Sequence, residues 1–219
     1  MLRAQNVSKR YVGRSSDVLA LDSVELEIAK GDFVSIVGPS GSGKSTLLLT
    51  LGGLIRPSGG KVYVDGQSIY ELPRGELAAL RLNTIGFVFQ TFNLVPYLTA
   101  LENVQVPLYL RGTSRTQQKE RAAQLLRKVG LEDRLDHKPA ELSVGQQQRV
   151  ALARSMANNP RIVLADEPTG NVDPELADEM LDRLSDMHRE GVTVVIVTHD
   201  PRIAARAASQ LRLVAGRIV

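Results

Sequence analysis

The chain has 219 residues, 43% hydrophobic and 23% charged, which is enough apolar material to bury a core and excludes a disordered or collagen-like chain. Its 27 basic and 24 acidic residues leave a net charge of +3 with no polybasic run, which fits an anionic surface but demands none. The absence of cysteine and tryptophan, with only 3 scattered histidines, excludes thiol chemistry, a disulfide scaffold and a thiolate zinc site, and supplies little for stacking nucleic-acid bases.

Along the chain, Arg3, Lys9 and Arg10 interrupt any early apolar run, so no signal peptide is expected. Apolar, β-branched runs at residues 24–28 and 33–37 flank Ala29-Lys30-Gly31-Asp32 and predict a hairpin, an antiparallel piece near the N-terminus. A helical run follows at 45–51, then strand runs at 61–64 and 85–89. From about residue 91 to 157 helical patterns dominate, at 115–129 and 144–157, and strand runs vanish. This predicts one domain whose core, residues 1–90 and 158–219, carries an inserted helical subdomain at 91–157.

Strand runs return at 162–165, 193–197 and 211–214, separated by helical patterns at 174–189 and 201–207. Pro174 and Pro201 each open a helix behind an aspartate able to cap it, Asp173 and Asp200. Strands that are apolar throughout, such as Ile162-Val163-Leu164-Ala165, are covered on both faces, and the alternation predicts an α/β fold with a mainly parallel sheet. Residues 82–101 hold no charge for 20 positions, the length of a membrane helix, but six polar residues with Gly86 and Pro96 interrupt them. Action at a membrane would therefore be by docking.

Gly38-Pro39-Ser40-Gly41-Ser42-Gly43-Lys44-Ser45 lies between a predicted strand and a predicted helix, the setting a phosphate-binding loop requires. Glycines let the backbone wrap phosphates, while successive N–H groups and the helix N-terminus supply positive potential. In such a loop Lys44 reaches the β- and γ-phosphates and the Ser45 hydroxyl binds Mg2+. The run 162–165 delivers Asp166 to a strand end, where it can hold Mg2+, and Glu167 next to it is a candidate general base for an attacking water.

Glu141-Leu142-Ser143-Val144-Gly145-Gln146-Gln147-Gln148-Arg149 resembles the LSGGQ signature of ATP-binding-cassette (ABC) ATPases. Around it, Gln90 resembles that family's Q-loop glutamine, Thr169-Gly170-Asn171-Val172-Asp173 its D-loop, and His199 its switch histidine. Tyr11 lies where the family places an adenine-stacking aromatic. The resemblance covers nearly the whole chain and implies a RecA-like phosphate-loop core with ATP and Mg2+ as cofactors. It implies that Tyr11 stacks the base, residues 38–46 through Thr46 hold the phosphates, and Ser45 and Gln90 bind Mg2+ with support from Asp166. Glu167 would polarise the water, His199 would contact the γ-phosphate, and Asp173 would belong to the nucleotide site. Ser143, Val144, Gly145 and Gln146 would act in trans across a homodimer holding two ATPs. Val144 departs from the family pattern, which has glycine there, and is tolerated only if that backbone is an ordinary helix start.

The segment 91–104 and the dense aromatics Phe87, Phe89 and Phe92 suggest an apolar groove for a cytoplasmic helix of a membrane subunit, docking near Gln90–Val104. Phe89-Gln90, Phe92-Asn93-Leu94, residues 98–104 and Thr169-Gly170-Asn171 are similar to the lipoprotein-release and macrolide-export branch of the family. The resemblance thus implies an ATPase subunit on the inner face of the cell membrane that drives a separate permease exporting lipoprotein, peptide or drug. A soluble ABC ATPase working on nucleic acid, ribosomes or Fe–S assembly is the alternative; the absence of a basic stripe argues against nucleic acid.

Overall fold

The computed structural model describes residues 1–13, 16–170 and 174–219. Two sheets organise it. The first is antiparallel, with order β2-β1-β4-β5, from β1 (Leu2–Tyr11), β2 (Val18–Ile28), β4 (Gly59–Val64) and β5 (Gln67–Ser68). The second has order β10-β9-β3-β8-β7-β6, from β3 (Phe33–Val37), β6 (Ile85–Phe89), β7 (Ile162–Asp166), β8 (Thr193–Thr198), β9 (Ser209–Val214) and β10 (Arg217–Ile218). All of its neighbours run parallel except β10, which turns back on β9.

The continuous apolar runs belong to strands buried on both faces. Val34, Ile36, Ile162, Leu164, Val195 and Val197 pack toward α1 (Lys44–Leu51) and the antiparallel sheet. Their alternating neighbours Phe33, Val163, Ala165, Val194 and Ile196 pack toward the remaining helices. That second layer comprises α3 (Ala100–Leu110), α4 (Arg115–Lys128), α5 (Val144–Ser155), α6 (Pro174–Arg189) and the short α7 (Pro201–Ala204). Between Phe89 and Ile162 the chain is helices and turns, with α3, α4 and α5 packed on one another through Val104, Leu125, Leu126 and Val150.

One expected local structure is absent. Residues 24–28 and 33–37 form no hairpin: β2 pairs with β1, and β3 pairs with β8 and β9 in the other sheet. The Asp32 carboxylate accepts the Ala29 N–H at 2.7 Å, and the Gly31 N–H donates to the Thr193 hydroxyl at 2.9 Å. The turn is thereby anchored to β8, and it hands the chain from one sheet to the next. The antiparallel piece is built instead on β1, whose charges hide its alternating Leu2 and Ala4. The helix α2 (Arg74–Thr84) is also not expected from the sequence; it lies mostly at the surface, with only Thr84 buried.

Candidate functional site

Strand register alone gathers four of the expected residues. Val37 is opposite Thr198, Asp166 opposite Val197, and Phe89 opposite Asp166. Gly38, Gln90, Glu167 and His199 therefore leave the sheet together at its carboxyl edge, where open parallel sheets bind ligands.

At this edge β3 runs into the loop Gly38, Pro39, Ser40, Gly41, Ser42 and Gly43, and Gly43 caps α1 with φ 101°. A side-chain carbon at Gly43 would lie 2.2 Å from the Ala20 carbonyl oxygen, so both conformation and space demand glycine. Ser40 and Gly41 form an exposed tip, and Ser42 is buried. The Ser42 carbonyl accepts the Gly216 N–H at 3.0 Å, so the turn between β9 and β10 props the loop from below. Lys44 is buried, and its Nζ donates to the Gly38 and Pro39 carbonyls at 2.9 and 3.0 Å. Among the described residues no carboxylate forms a salt bridge with it. A glycine-rich loop with an exposed tip, an ammonium without a salt-bridge partner and a helix N-terminus together suit an oligophosphate. Tyr11, at the end of β1 and partly exposed, brings its hydroxyl to 3.5 Å from the Thr46 Oγ1 in the first turn of α1.

Ser45 Oγ donates to Asp166 Oδ1 at 2.9 Å. Burial pushes the Asp166 carboxyl above the usual range, partly offset by the Ser45 hydrogen bond, while the neighbouring Glu167 charge pushes the same way as burial. A desolvated carboxylate beside a hydroxyl is a hard-oxygen pair that fits Mg2+, which takes one or two protein carboxylates and completes its shell with phosphates and water. Glu167 follows with φ 45°, its N–H bound to the Val197 carbonyl and its Oε1 2.8 Å from His199 Nδ1. The glutamate side chain is 14% exposed and the histidine 67%, so the pair joins a sheltered carboxylate to an open ring.

Gln90, at the end of β6, approaches the loop after β7: a side-chain carbon at Gly170 would lie 3.1 Å from Gln90 Nε2. Beyond it, Phe92 and Asn93 both have positive φ, 58° and 49°. Strain of that kind costs about 1–3 kcal/mol per residue and persists only where surroundings impose it. Here Arg154, from α5, donates to the Phe92 and Asn93 carbonyls at 2.5 and 2.6 Å. Hydrogen bonds to a charged group are worth about 1.5–3 kcal/mol each, so the two are large enough to hold the segment.

The expected signature residues occupy the start of α5. Ser143 is its N-cap, in a reciprocal capping box with Gln146 at 3.2 and 2.9 Å. Val144 is the first helical residue, 48% exposed and absent from the positive-φ residues, which removes the objection to a β-branched side chain there. Gly145 is different: a side-chain carbon would lie 2.4 Å from Leu176 Cδ1, so α6 approaches closely here and a larger residue would have to displace the end of that leucine side chain. Among the described residues no hydrogen bond links Ser143 or Gln146 to the phosphate loop. Farther along α5, the buried Gln148 side chain donates to the Pro168 carbonyl, one residue past Glu167. Asp173, Asn171 and Val172 lie outside the described residues.

The apolar groove also differs from expectation. Phe92, Ala100, Leu101 and Val104 are buried, and the Asn103 amide ties down the Val95, Leu98 and Thr99 carbonyls, so the larger apolar side chains of 91–104 other than Tyr97 are largely taken up by the core. Phe87 and Phe89, stacked at 5.6 Å, instead face two adjoining hollows of about 310 and 570 Å³ between α2, the edge strand β6 and α3. Leu82, Ile85 and Leu110 line both hollows. Sequence reasoning missed Leu82 and Leu110, which lie outside the segment it singled out, and Arg154, whose only signal is a charge on an otherwise apolar helix face. Among the described residues, no helix is long and apolar enough to cross a membrane.

Comparison with known proteins agrees with this geometry. The family model described as ABC transporter matches residues 21–170. The chain is 48% identical over its whole length to the macrolide export ATP-binding/permease protein MacB of Paracoccus denitrificans, of which it covers 33%. A macrolide export relative from Hyphomonas neptunium is 44% identical, with 34% covered, so the chain spans about a third of the length of these relatives. The uncharacterised ABC transporter ATP-binding protein YvrO of Bacillus subtilis is 44% identical over the full chain, which covers 96% of it. A solved dimeric ATP-binding cassette in a post-hydrolysis state with ADP and Pi superposes with a TM-score of 0.94 at 44% identity, covering 100% of this chain and 96% of that one. The chain belongs to the ABC transporter family, as one of its ATPase cassettes, the domains that bind ATP with Mg2+.

Proposed function

We propose that two copies of this chain close around two ATP molecules and that closure, released by hydrolysis, drives a membrane permease of the macrolide-export or lipoprotein-release kind. The observation that carries the reading is the gathering of Gly38, Gln90, Glu167 and His199 on one sheet edge beside Lys44 and Ser45. In this reading Tyr11 stacks on the base, and the N–H groups of residues 38–46 cradle the phosphates. Lys44 exchanges its two loop carbonyls for phosphate oxygens. Ser45, Asp166 and Gln90 hold Mg2+, which when bound neutralises phosphate charge. Glu167 orients a water and accepts its proton, with His199 fixing the carboxylate at 2.8 Å and reaching the γ-phosphate side.

Ser143, Val144, Gly145 and Gln146 present a capped helix N-terminus to the ATP of the second copy, and Asp173 lies near the same junction. Similar structures solved as dimers support this arrangement. We assign residues 91–157 to a helical subdomain that carries this surface. The groove lined by Leu82, Phe87, Phe89 and Leu110 receives a cytoplasmic helix of the permease, a partner suggested by relatives that join ATP-binding and permease parts.

The test is Glu167→Gln in the full chain. Retained ATP binding, a 10²- to 10⁴-fold loss of turnover, about what removal of a general base costs, and an ATP-bound dimer in light scattering are expected. Unchanged hydrolysis removes Glu167 from the mechanism. A strict monomer in saturating ATP, with permease supplied, overturns the shared site.

A further inference from the structure

Arg154 touches neither the phosphate loop nor the carboxylates, yet it holds the segment that leads away from Gln90. Its guanidinium donates through one nitrogen to the Asn93 carbonyl and through another to the Phe92 carbonyl. Those two residues are consecutive, neither is glycine, and both have left-handed backbone; asparagine tolerates that conformation better than most residues, but phenylalanine does not. Local bonds are short-range: the Asn93 N–H reaches back to the Thr91 carbonyl, and the Thr91 hydroxyl meets Asn93 Oδ1. The long-range anchor is Arg154, in the last turn of α5. A planar fork that spans two successive carbonyls is a geometry that arginine supplies and lysine does not.

We propose that Arg154 is a positioning residue for hydrolysis: by clamping the Phe92 and Asn93 carbonyls it sets the backbone that places Gln90 against Gly170 and the loop carrying Glu167. The proposal rests on the reading of Gln90 and Glu167 as parts of the hydrolytic site. The opposite end of α5 bears Ser143 and Gly145, so the clamp ties the position of Gln90 to that of the helix offered to the second copy. A shift of α5 is felt at Gln90 through these two hydrogen bonds in addition to the packing of α5 on β6.

The experiment measures ATP affinity, kcat and melting temperature for Arg154→Ala, Arg154→Lys and Arg154→Ala/Asn93→Gly. Arg154→Ala should bind ATP within about twofold of the parent but lose roughly 10- to 100-fold in kcat, as expected for a misplaced rather than a missing group. Arg154→Lys should fall between. Asn93→Gly should recover most of the loss, because glycine adopts positive φ without a clamp. Parental kcat in Arg154→Ala overturns the proposal, and so does a loss that Asn93→Gly leaves unchanged. Should Arg154→Ala not fold, Asn93→Val with the clamp intact decides: an exposed β-branched residue resists φ 49° and should reproduce the kcat loss, whereas full activity overturns the proposal. Glu167→Gln is measured alongside; full turnover there means that the hydrolytic reading has failed, and a loss there with full turnover in the Arg154 and Asn93 variants means that the clamp alone has.

Discussion

Two loops leave parallel strands of the same sheet at the same edge, and they solve the backbone problem in opposite ways. The loop after β3 places glycine at its left-handed positions, Gly41 at φ 77° and Gly43 at φ 101°, and so adopts its shape without strain. The segment after β6 places Phe92 and Asn93 at φ 58° and 49° and holds them from outside through Arg154. A loop with glycine at those positions needs no outside force to hold its positive φ values. A strained segment held by one distant side chain is formed only while that side chain stays in place, which suits a part that must respond to α5. The phosphate loop is thus a fixed cradle, and the Gln90 segment a conditional one.

The comparison can be broken most severely at the fixed cradle. Gly43→Ala forces a methyl group against the Ala20 carbonyl, 2.2 Å away, at a φ that alanine resists. Strain and overpacking together predict a loss of roughly 3 kcal/mol or more and ATP affinity reduced beyond measurement by fluorescent-nucleotide titration. At the conditional segment, Phe92→Ala removes a buried ring and should cost about 3 kcal/mol in urea unfolding, so Leu110→Ala, at a residue 64% exposed that lines the groove, is the better probe of permease binding.

A smaller effect of opposite sign is expected at Asp166. Burial raises its pKa, so its contribution to stability is complete below the ordinary 3.8 and is lost as pH rises through the raised value. At neutral pH the nucleotide-free protein therefore carries a desolvated carboxylate, its cost reduced by partial solvent screening, and Asp166→Asn should raise its melting temperature slightly. That gain should vanish on acidification below the ordinary carboxylate value, while Mg2+-dependent hydrolysis is lost at every pH. The smallest change belongs to Val144→Gly. With Val144 at an exposed first helical position, hydrolysis should stay within about twofold and stability fall by roughly 0.5 kcal/mol.

Much of this is legible in the order of the amino acids. The phosphate loop, Asp166 and Glu167 stand out because their chemistry needs contiguous residue types, and the α/β class because apolar strands covered on both faces carry no polar alternation. The start of α5 is also local, since a capping box spans only Ser143 to Gln146. The expected hairpin fails for the same reason in reverse: residues 24–28 and 33–37 have a suitable local turn, but their pairing is decided by β1, β8 and β9.

What the amino-acid order determined by itself is therefore whatever acts over a few neighbouring residues: the glycine loop, the caps, the strand periods and the acidic pair. Tertiary structure alone decided which strand ends meet, that Phe92 is buried while Leu82 and Leu110 line the groove, that Leu176 packs against Gly145, and that Arg154 holds the Gln90 segment. The reason is physical. Register and close approach depend on groups far apart in the chain, whose contact free energies appear only once the sheet and helices have packed.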